Sequence, residues 1–213
     1  WPSYLQSPEE TSKSIEKYRK SKDASLFDQL VERLRDHRVS RLVLTKHLHL
    51  PVRVDAVTLG NSEKIIQLID EMAASTNLQA LSIALHTVVS DNNVAERFCD
   101  FLRSTTRLNR LALSPRQPVS LEESVDNESD QYVEMILSAL SANRSLKTFI
   151  LDREPLRDDY CQMLAHWLQN HSKLTRLTLN SNRINLQSAN HLAEGLKANK
   201  TLKHFDLDNQ SID

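Results

Sequence analysis

The stretch LTRLTLNSNRINLQSANHLAEGLKANKT, from Leu174 to Thr201, decides the fold because its opening pattern recurs along the chain. That pattern is L-x-x-L-x-L, with conservative departures in some copies. Six copies begin at Val39, Leu78, Leu108, Leu146, Leu174 and Leu202. The last three copies follow one another at intervals of 28 residues. Self-similarity at a fixed period is typical of repeat proteins, in which each unit packs against its neighbours.

A helical pattern accompanies the strand-like motif in every unit. Alternating apolar residues predict a strand, whereas apolar residues at i, i+3, i+4 and i+7 predict one buried face of a helix. The six helical quartets are Phe27, Leu30, Val31, Leu34; Ile65, Leu68, Ile69, Met72; Ala95, Phe98, Cys99, Leu102; Val133, Ile136, Leu137, Leu140; Cys161, Leu164, Ala165, Leu168; and Ala189, Leu192, Ala193, Leu196. Each of the last five ends six residues before the next motif. We therefore predict α/β units whose strands pair in parallel.

The repeats are predicted to occupy residues 39–213, after an N-terminal helical cap formed by residues 1–38. The cap is inferred from the first quartet, which lies in an amphipathic segment at about residues 12–35 with no complete strand before it. A terminal unit needs a cap because no neighbour covers its apolar face. The last unit, which begins at Leu202, is predicted to be truncated.

Two units are longer than the others and are predicted to carry insertions, at residues 46–62 and 114–131. The first insertion is apolar enough to pack against the repeats. The second contains SPRQPVSLEESVDNESD and is rich in serine, proline and acidic residues, which predicts a mobile surface loop from Ser114 to Asp130. Insertions in repeat arrays tend to lie on one face and are candidate binding loops.

Composition argues against several classes of function. The chain has 27 Lys and Arg residues against 28 Asp and Glu residues, so it lacks the overall positive charge typical of nucleic-acid binding. No run of about 18 apolar residues predicts a membrane span, and only two glycines are present, which leaves no phosphate-binding loop. Cys99 and Cys161 fall within helical quartets and are predicted to be buried thiols. We expect a reducing compartment and a cytoplasmic location.

These motifs resemble those of leucine-rich repeat proteins of the ribonuclease-inhibitor-like subclass. The best copies are LTRLTLNSNRI, which begins at Leu174, and LKHFDLDNQSI, which begins at Leu202. The resemblance implies a right-handed horseshoe solenoid with strands on the concave face and helices on the convex face. It also implies that Asn182 hydrogen-bonds the turn after the strand. Its equivalents in other units are Gln210, Glu154, Arg116 and His86, and Ser188 replaces a glycine that usually precedes the helix.

Side chains on the outward face of the strands are the candidate partner-binding residues, because successive residues of a strand point to opposite faces. The first outward row is Arg41, Ala80, Arg110, Thr148, Arg176 and His204; the second is Val43, Ser82, Ala112, Ile150, Thr178 and Asp206; the third is Thr45, Ala84, Ser114, Asp152, Asn180 and Asp208. A basic flank beside an acidic one suits a protein partner of mixed charge. The predicted contact residues are Arg41, Arg110, Ile150, Arg176, Thr178, His204 and Asp206.

Catalytic, metal and cofactor sites are not predicted. His47, His49 and His86 lack the further ligands that a zinc site needs, and His166, His171 and His191 are interpreted as exposed residues on or just after helices. Buried cysteines make poor nucleophiles. Asp206 and Asp208 share one strand face, but an open sheet gives no reason for either pKa to shift. We therefore predict that the protein is not an enzyme.

The sequence favours a monomeric protein-interaction module whose concave face and inserted loops bind an unidentified protein partner. Such a module is found in adaptors, receptors and bacterial effectors, and an effector would act in a host cytoplasm. One alternative is a GTPase regulator, since the Ran GTPase-activating protein is similar in repeat type. The other is a cytoskeletal binding domain, since the repeat domain of the actin-capping tropomodulins also resembles this chain.

Overall fold

The computed structural model describes residues 25–44, 62–114, 127–208 and 210. The strands are β1 (Arg41–Leu44), β2 (Ala80–Ala84), β3 (Arg110–Ser114), β4 (Thr148–Leu151), β5 (Arg176–Thr178) and β6 (His204–Asp206). The helices are α1 (Ser25–Arg35), α2 (Ser62–Ala74), the short α3 (Leu85–Val88), α4 (Asn92–Ser104), α5 (Asn127–Ala142), α6 (Asp158–Asn170) and α7 (Leu186–Ala198).

The six strands form one parallel sheet in the order β1-β2-β3-β4-β5-β6. Neighbouring strands pair in the register that the repeats predict, so the first outward row runs straight across the sheet. Parallel neighbours need a crossover connection, and in each unit a helix supplies it. The predicted α/β fold with parallel strands is confirmed.

One continuous apolar core lies between the sheet and the helices. Inward strand residues such as Leu81, Leu111 and Leu177 join the helical quartets in a single buried cluster. Phe149 of β4 meets the ring of Trp167 in α6 edge to face, with centroids 5.5 Å apart. The predicted quartets are confirmed as the core face of the helices, except that Ala193 in α7 is exposed because no described helix packs against that side.

Close contact between helices requires a glycine at position 195. A Cβ atom on Gly195 would lie 2.7 Å from the Cα atom and 2.8 Å from the carbonyl oxygen of Ala165. Because these are backbone atoms, they cannot move aside to accommodate a side chain at position 195. The small residues Gly195 and Ala165 therefore fix how closely α7 approaches α6.

A side-chain amide holds the turn after β4 and another holds the turn after β5. Asn182 is fully buried, its Oδ1 atom accepts a hydrogen bond from the Glu154 N–H at 2.8 Å, and its Nδ2 atom donates to the Leu151 carbonyl at 2.6 Å. Gln210, which lies 28 residues later, donates in the same way to the Leu179 carbonyl at 2.6 Å. The turn-bonding role expected for Asn182 is confirmed, and Gln210 repeats it.

A second set of side chains holds the turns from helix to strand. Asn143 and Asn199 each accept hydrogen bonds from two backbone N–H groups that follow them. His171 lies midway between them at the same repeat position, and its Nδ1 atom accepts from the N–H groups of Lys173 and Leu174 at 3.2 and 2.9 Å. The prediction that His171 is exposed is wrong, since only 3% of its surface is accessible.

The predicted bounds of both insertions are also corrected. Helix α5 begins at Asn127, so residues 127–131 are helical rather than part of a loop, and Ser114 belongs to β3. Ser62 is the first residue of α2. Ser188, expected before a helix, lies inside α7, whose N-cap is Asn185. The rest of the insertions, and residues 1–24 of the predicted cap, lie outside the described residues.

Candidate functional site

The candidate site is the face of the sheet that points away from the helices, which we call the open face. Helices α2, α4, α5, α6 and α7 pack successively against one another, and their buried residues contact the inward strand side chains in one core. The alternate strand residues point the other way. None of these alternate residues belongs to the apolar core that the described helices and strands share.

The first row of the open face is a continuous line of side chains across all six strands. Arg41, Arg176 and His204 are exposed, and Ala80, Arg110 and Thr148 are half-buried. Neighbouring strands lie about 4.8 Å apart, so the row is about 24 Å long. Its length and its polar side chains give the open face room to contact a peptide or a folded protein surface.

The second row is less accessible than the sequence suggests. Ile150 and Thr178 are each 7% exposed, and Ala112 is 6% exposed. These residues do alternate with core residues along their strands, but each has a neighbour on both sides within about 4.8 Å, which hides small and medium side chains. Ile150 and Thr178 are therefore almost fully buried rather than exposed, and their contact with a partner stays a prediction.

Arg176 and Asp206 form an ion pair on the open face. The Nη2 atom of Arg176 lies 2.8 Å from the Oδ2 atom of Asp206, and the Thr178 hydroxyl donates to the same oxygen at 3.3 Å. The sequence places these three residues in two separate rows, one basic and one acidic. The structure brings them together, so their charges largely neutralise each other. This part of the open face is therefore a paired, nearly neutral cluster.

The third row forms hydrogen bonds with the backbone of the next unit. The Oδ1 atom of Asp152 accepts from the Asn180 N–H at 2.8 Å, and the Oδ1 atom of Asn180 accepts from the Asp208 N–H at 2.7 Å. Burial raises the pKa of Asp152, and the Asn180 N–H partly offsets this. Ala84, predicted to point outward in this row, is buried at 3% exposure. The third-row side chains Asp152 and Asn180 therefore hold neighbouring units together by hydrogen bonds to the backbone.

Reactive groups are shielded or already paired in the described residues. Both cysteines are fully buried as predicted, and burial raises the pKa of Cys99 and of Cys161 to about 11. No group of three His, Cys, Asp or Glu side chains lies close enough to hold a metal ion within residues 25–44, 62–114 and 127–208. His47 and His49 lie outside these ranges. None of the helices described could cross a membrane.

The sequence matches no protein-family model and no curated protein. Solved structures match in fold. The tropomodulin C-terminal domain of Caenorhabditis elegans matches with a TM-score of 0.53 at 14% identity, covering 81% of this chain and 92% of that chain. Actin-binding site 2 of leiomodin-1 matches with a TM-score of 0.49 at 15% identity, covering 82% and 92%. At such identity the first likeness shows a shared α/β repeat fold.

Proposed function

We propose that the chain is a leucine-rich repeat interaction module of the ribonuclease-inhibitor-like type, which binds a protein partner through the open face. The observation that carries the proposal is the unbroken first row, in which six strands in register present Arg41, Arg110, Arg176 and His204 along one line. Such a row fixes the register of a partner through complementary charge and hydrogen bonding.

The subclass is supported by the 28-residue units and by the hydrogen bonds of Asn182 and Gln210. A concave open face follows from packing distances. Paired strands lie about 4.8 Å apart, whereas packed helices lie about 8 to 10 Å apart. A stack that contains both must curve toward its strands, as in a horseshoe.

Binding without catalysis is the function that fits this surface. The thiols have raised pKa values, and Asp206 accepts from Arg176 and Thr178. The first row offers guanidinium, imidazole and hydroxyl groups for a partner's polar surface. We place the protein in the cytoplasm because its two buried thiols suit a reducing compartment.

The test is a comparison of two baits in affinity capture with mass spectrometry. The first carries Arg41→Glu and Arg110→Glu on the open face. The control carries Arg33→Glu and Arg183→Glu, which make the same change of net charge at exposed positions outside the face. Arg176 is avoided because its reversal would also create repulsion with Asp206.

A protein that is captured by the wild type and by the control bait, and lost from the first bait, supports the open face as the binding surface. Thermal melts of both baits establish that they fold. Equal capture by both folded baits would contradict the proposal.

A cytoskeletal partner is the second candidate, because the chain shares the fold of the tropomodulin C-terminal domain over 81% of its length. Actin is the partner to test, since the sequence resembles the repeat domain of the actin-capping tropomodulins. Co-sedimentation with filamentous actin tests this directly. Binding by the wild type that is lost in the Arg41→Glu, Arg110→Glu variant would unite the two proposals, and no co-sedimentation would remove this candidate.

A further inference from the structure

Positive charges gather along the edge of the sheet where the strands begin. Because all six strands are parallel, every turn from helix to strand lies on this edge. Six exposed cations of the last four turns define what we call the basic edge: Arg107, Arg144, Lys147, Lys173, Lys200 and Lys203. The near-zero net charge of the whole chain conceals this concentration.

Backbone hydrogen bonds fix the positions of these cations. The Lys147 N–H donates to the Asn109 carbonyl at 2.7 Å, the Thr175 N–H to the Lys147 carbonyl at 2.8 Å, and the Lys203 N–H to the Thr175 carbonyl at 2.9 Å. Lys147 and Lys203 therefore lie two strand spacings apart, or about 10 Å. The polar, uncharged Thr175 lies between them, so like charges are not directly adjacent.

The same alternation recurs at two other positions of the turn. Arg107 and Lys173 are separated by Ser145 in the intervening unit, and Arg144 and Lys200 by Ser172. Cations of neighbouring units are thus staggered. This arrangement lowers their mutual repulsion while it keeps the whole edge positive.

No carboxylate neutralises the basic edge within the described residues. The four turn segments are STTRLNR (104–110), ANRSLKT (142–148), NHSKLTR (170–176) and ANKTLKH (198–204), and they contain no acidic residue. Other cations nearby are paired, such as Arg103 with Asp100 and Lys197 with Glu194. None of the ion pairs found in the described parts of the chain includes a residue of the basic edge.

The helix macrodipole explains only part of this charge. Cations stabilise a helix within its last turn, and Arg144 does so directly, since its guanidinium donates to the Ser141 carbonyl at 2.6 Å. Lys147 and Lys203, by contrast, lie five residues beyond the ends of α5 and α7. The effect of the dipole falls off over one turn, so these two lysines do not serve the helices.

Two cations of the basic edge also act on the buried side chain of His171. Burial, followed by the neighbouring charges of Arg144 and Lys173, lowers the pKa of His171 to about 4.

We propose that the basic edge is a second docking surface, distinct from the open face, which binds an acidic segment of a protein partner. The cations from Arg107 to Lys203 span three strand spacings, about 14 Å, which about four residues of extended peptide match. Arginine and lysine at this spacing form charge-assisted hydrogen bonds with successive carboxylates.

A protein segment suits the edge better than a nucleic acid. Single-stranded nucleic acids are held by aromatic side chains on which bases stack, and the four turn segments contain no Phe, Tyr or Trp. Asp152 and Asp208 lie just beyond the other end of the strands and would repel a broad polyanion laid across the sheet. A narrow acidic peptide follows the edge without reaching them.

Fluorescence anisotropy with defined probes tests the proposal. The probes are an oligo-glutamate peptide and an oligothymidylate of equal length and charge, at low ionic strength. The edge variant carries Lys147→Gln, Lys173→Gln and Lys203→Gln. The control carries Arg33→Gln, Arg153→Gln and Arg183→Gln, which remove the same three charges from exposed positions elsewhere.

The proposal predicts that oligo-glutamate binds the wild type and the control alike, and binds the edge variant at least about tenfold more weakly, with a reduced dependence on salt. Equal affinity for all three proteins, or an equal loss in both variants, would overturn it. So would tighter binding of oligothymidylate that is lost in the edge variant, since that identifies a nucleic-acid surface. All positions are exposed, and a thermal melt verifies folding; single variants Lys147→Gln and Lys203→Gln repeat the test if the triple variant unfolds.

Discussion

His171 makes the stability of the fold sensitive to acid. In the folded protein, its Nδ1 atom accepts two backbone hydrogen bonds, and its Nε2 atom has no hydrogen-bond partner among the described residues. The ring also packs edge to face on Trp167, with centroids 5.1 Å apart. Protonation would add a hydrogen to Nδ1, remove both accepted bonds and place a charge in a buried site.

The sign and size follow from the pKa. Burial, followed by the charges of Arg144 and Lys173, lowers the pKa of His171 from 6.5 to about 4 in the folded state. Between these two pH values the unfolded chain binds a proton that the folded chain does not. The contribution of His171 to stability is therefore fully present above pH 6.5 and is lost as the pH drops toward 4. The loss attributable to this residue is at most about 3 kcal/mol.

The substitution His171→Asn isolates the effect of protonating His171, because asparagine holds the equivalent turn at Asn143 and at Asn199. Urea unfolding followed by circular dichroism at pH 7, 6, 5 and 4 gives the free energy of unfolding of each protein. As the pH falls, we expect the free energy of unfolding of the variant to rise relative to that of the wild type by up to about 3 kcal/mol. His166→Asn, an exposed change on α6, is the matched control.

Other groups titrate in the same range, so the difference between variant and wild type is the informative quantity. A difference that stays constant from pH 7 to pH 4 would refute the reasoning, because it would mean that His171 has the same pKa in the folded and unfolded chains. The His166→Asn control measures the effect of the same substitution at an exposed position of α6.

Three further changes test the packing and the turns. Gly195→Ala should lower the free energy of unfolding in urea by about 1 to 3 kcal/mol, because the new Cβ atom meets the backbone of Ala165. The control Ala193→Ser, on the exposed side of α7, should lower it by less than about 0.5 kcal/mol. Equal losses would contradict this packing. Asn182→Ala should cost about 1 to 3 kcal/mol because it leaves buried backbone groups unpaired, and a neutral effect would mean that water replaces the side chain. Leu177→Asp should abolish cooperative unfolding by burying an unpaired charge; a folded variant would show that the strand register is wrong.

Repetition is what made the fold predictable. The strand motif and the helical quartet recur in a fixed relation, so an error in one unit is corrected by the others. Leu177 and Leu192 are buried where the pattern places them. The sequence does not reveal the start of α5, because the segment around Asn127 is polar and acidic, a composition that helices tolerate on their first turn but that also suits a loop.

The candidate site was less predictable, because exposure depends on neighbours from other units. Sequence alternation places Ile150 and Thr178 on the outward side, but each is only 7% exposed. The pairing of Arg176 with Asp206 joins residues that lie 30 positions apart and at different repeat positions. The position of His171 just after a helix suggests an exposed residue, whereas Asn143 and Asn199 at the same repeat position indicate its role in the turn.

Site-specific photo-crosslinking tests most directly whether the open face binds a protein. A photoreactive amino acid replaces Thr148, at the centre of the first row, and in a control protein replaces Gln169, which is exposed on helix α6 on the opposite side. After irradiation with a cell extract, the proposed function predicts a discrete protein adduct from position 148 that is absent from position 169. Adducts from position 169 alone, or none from position 148 while a partner is still captured, would contradict the open face as the binding surface.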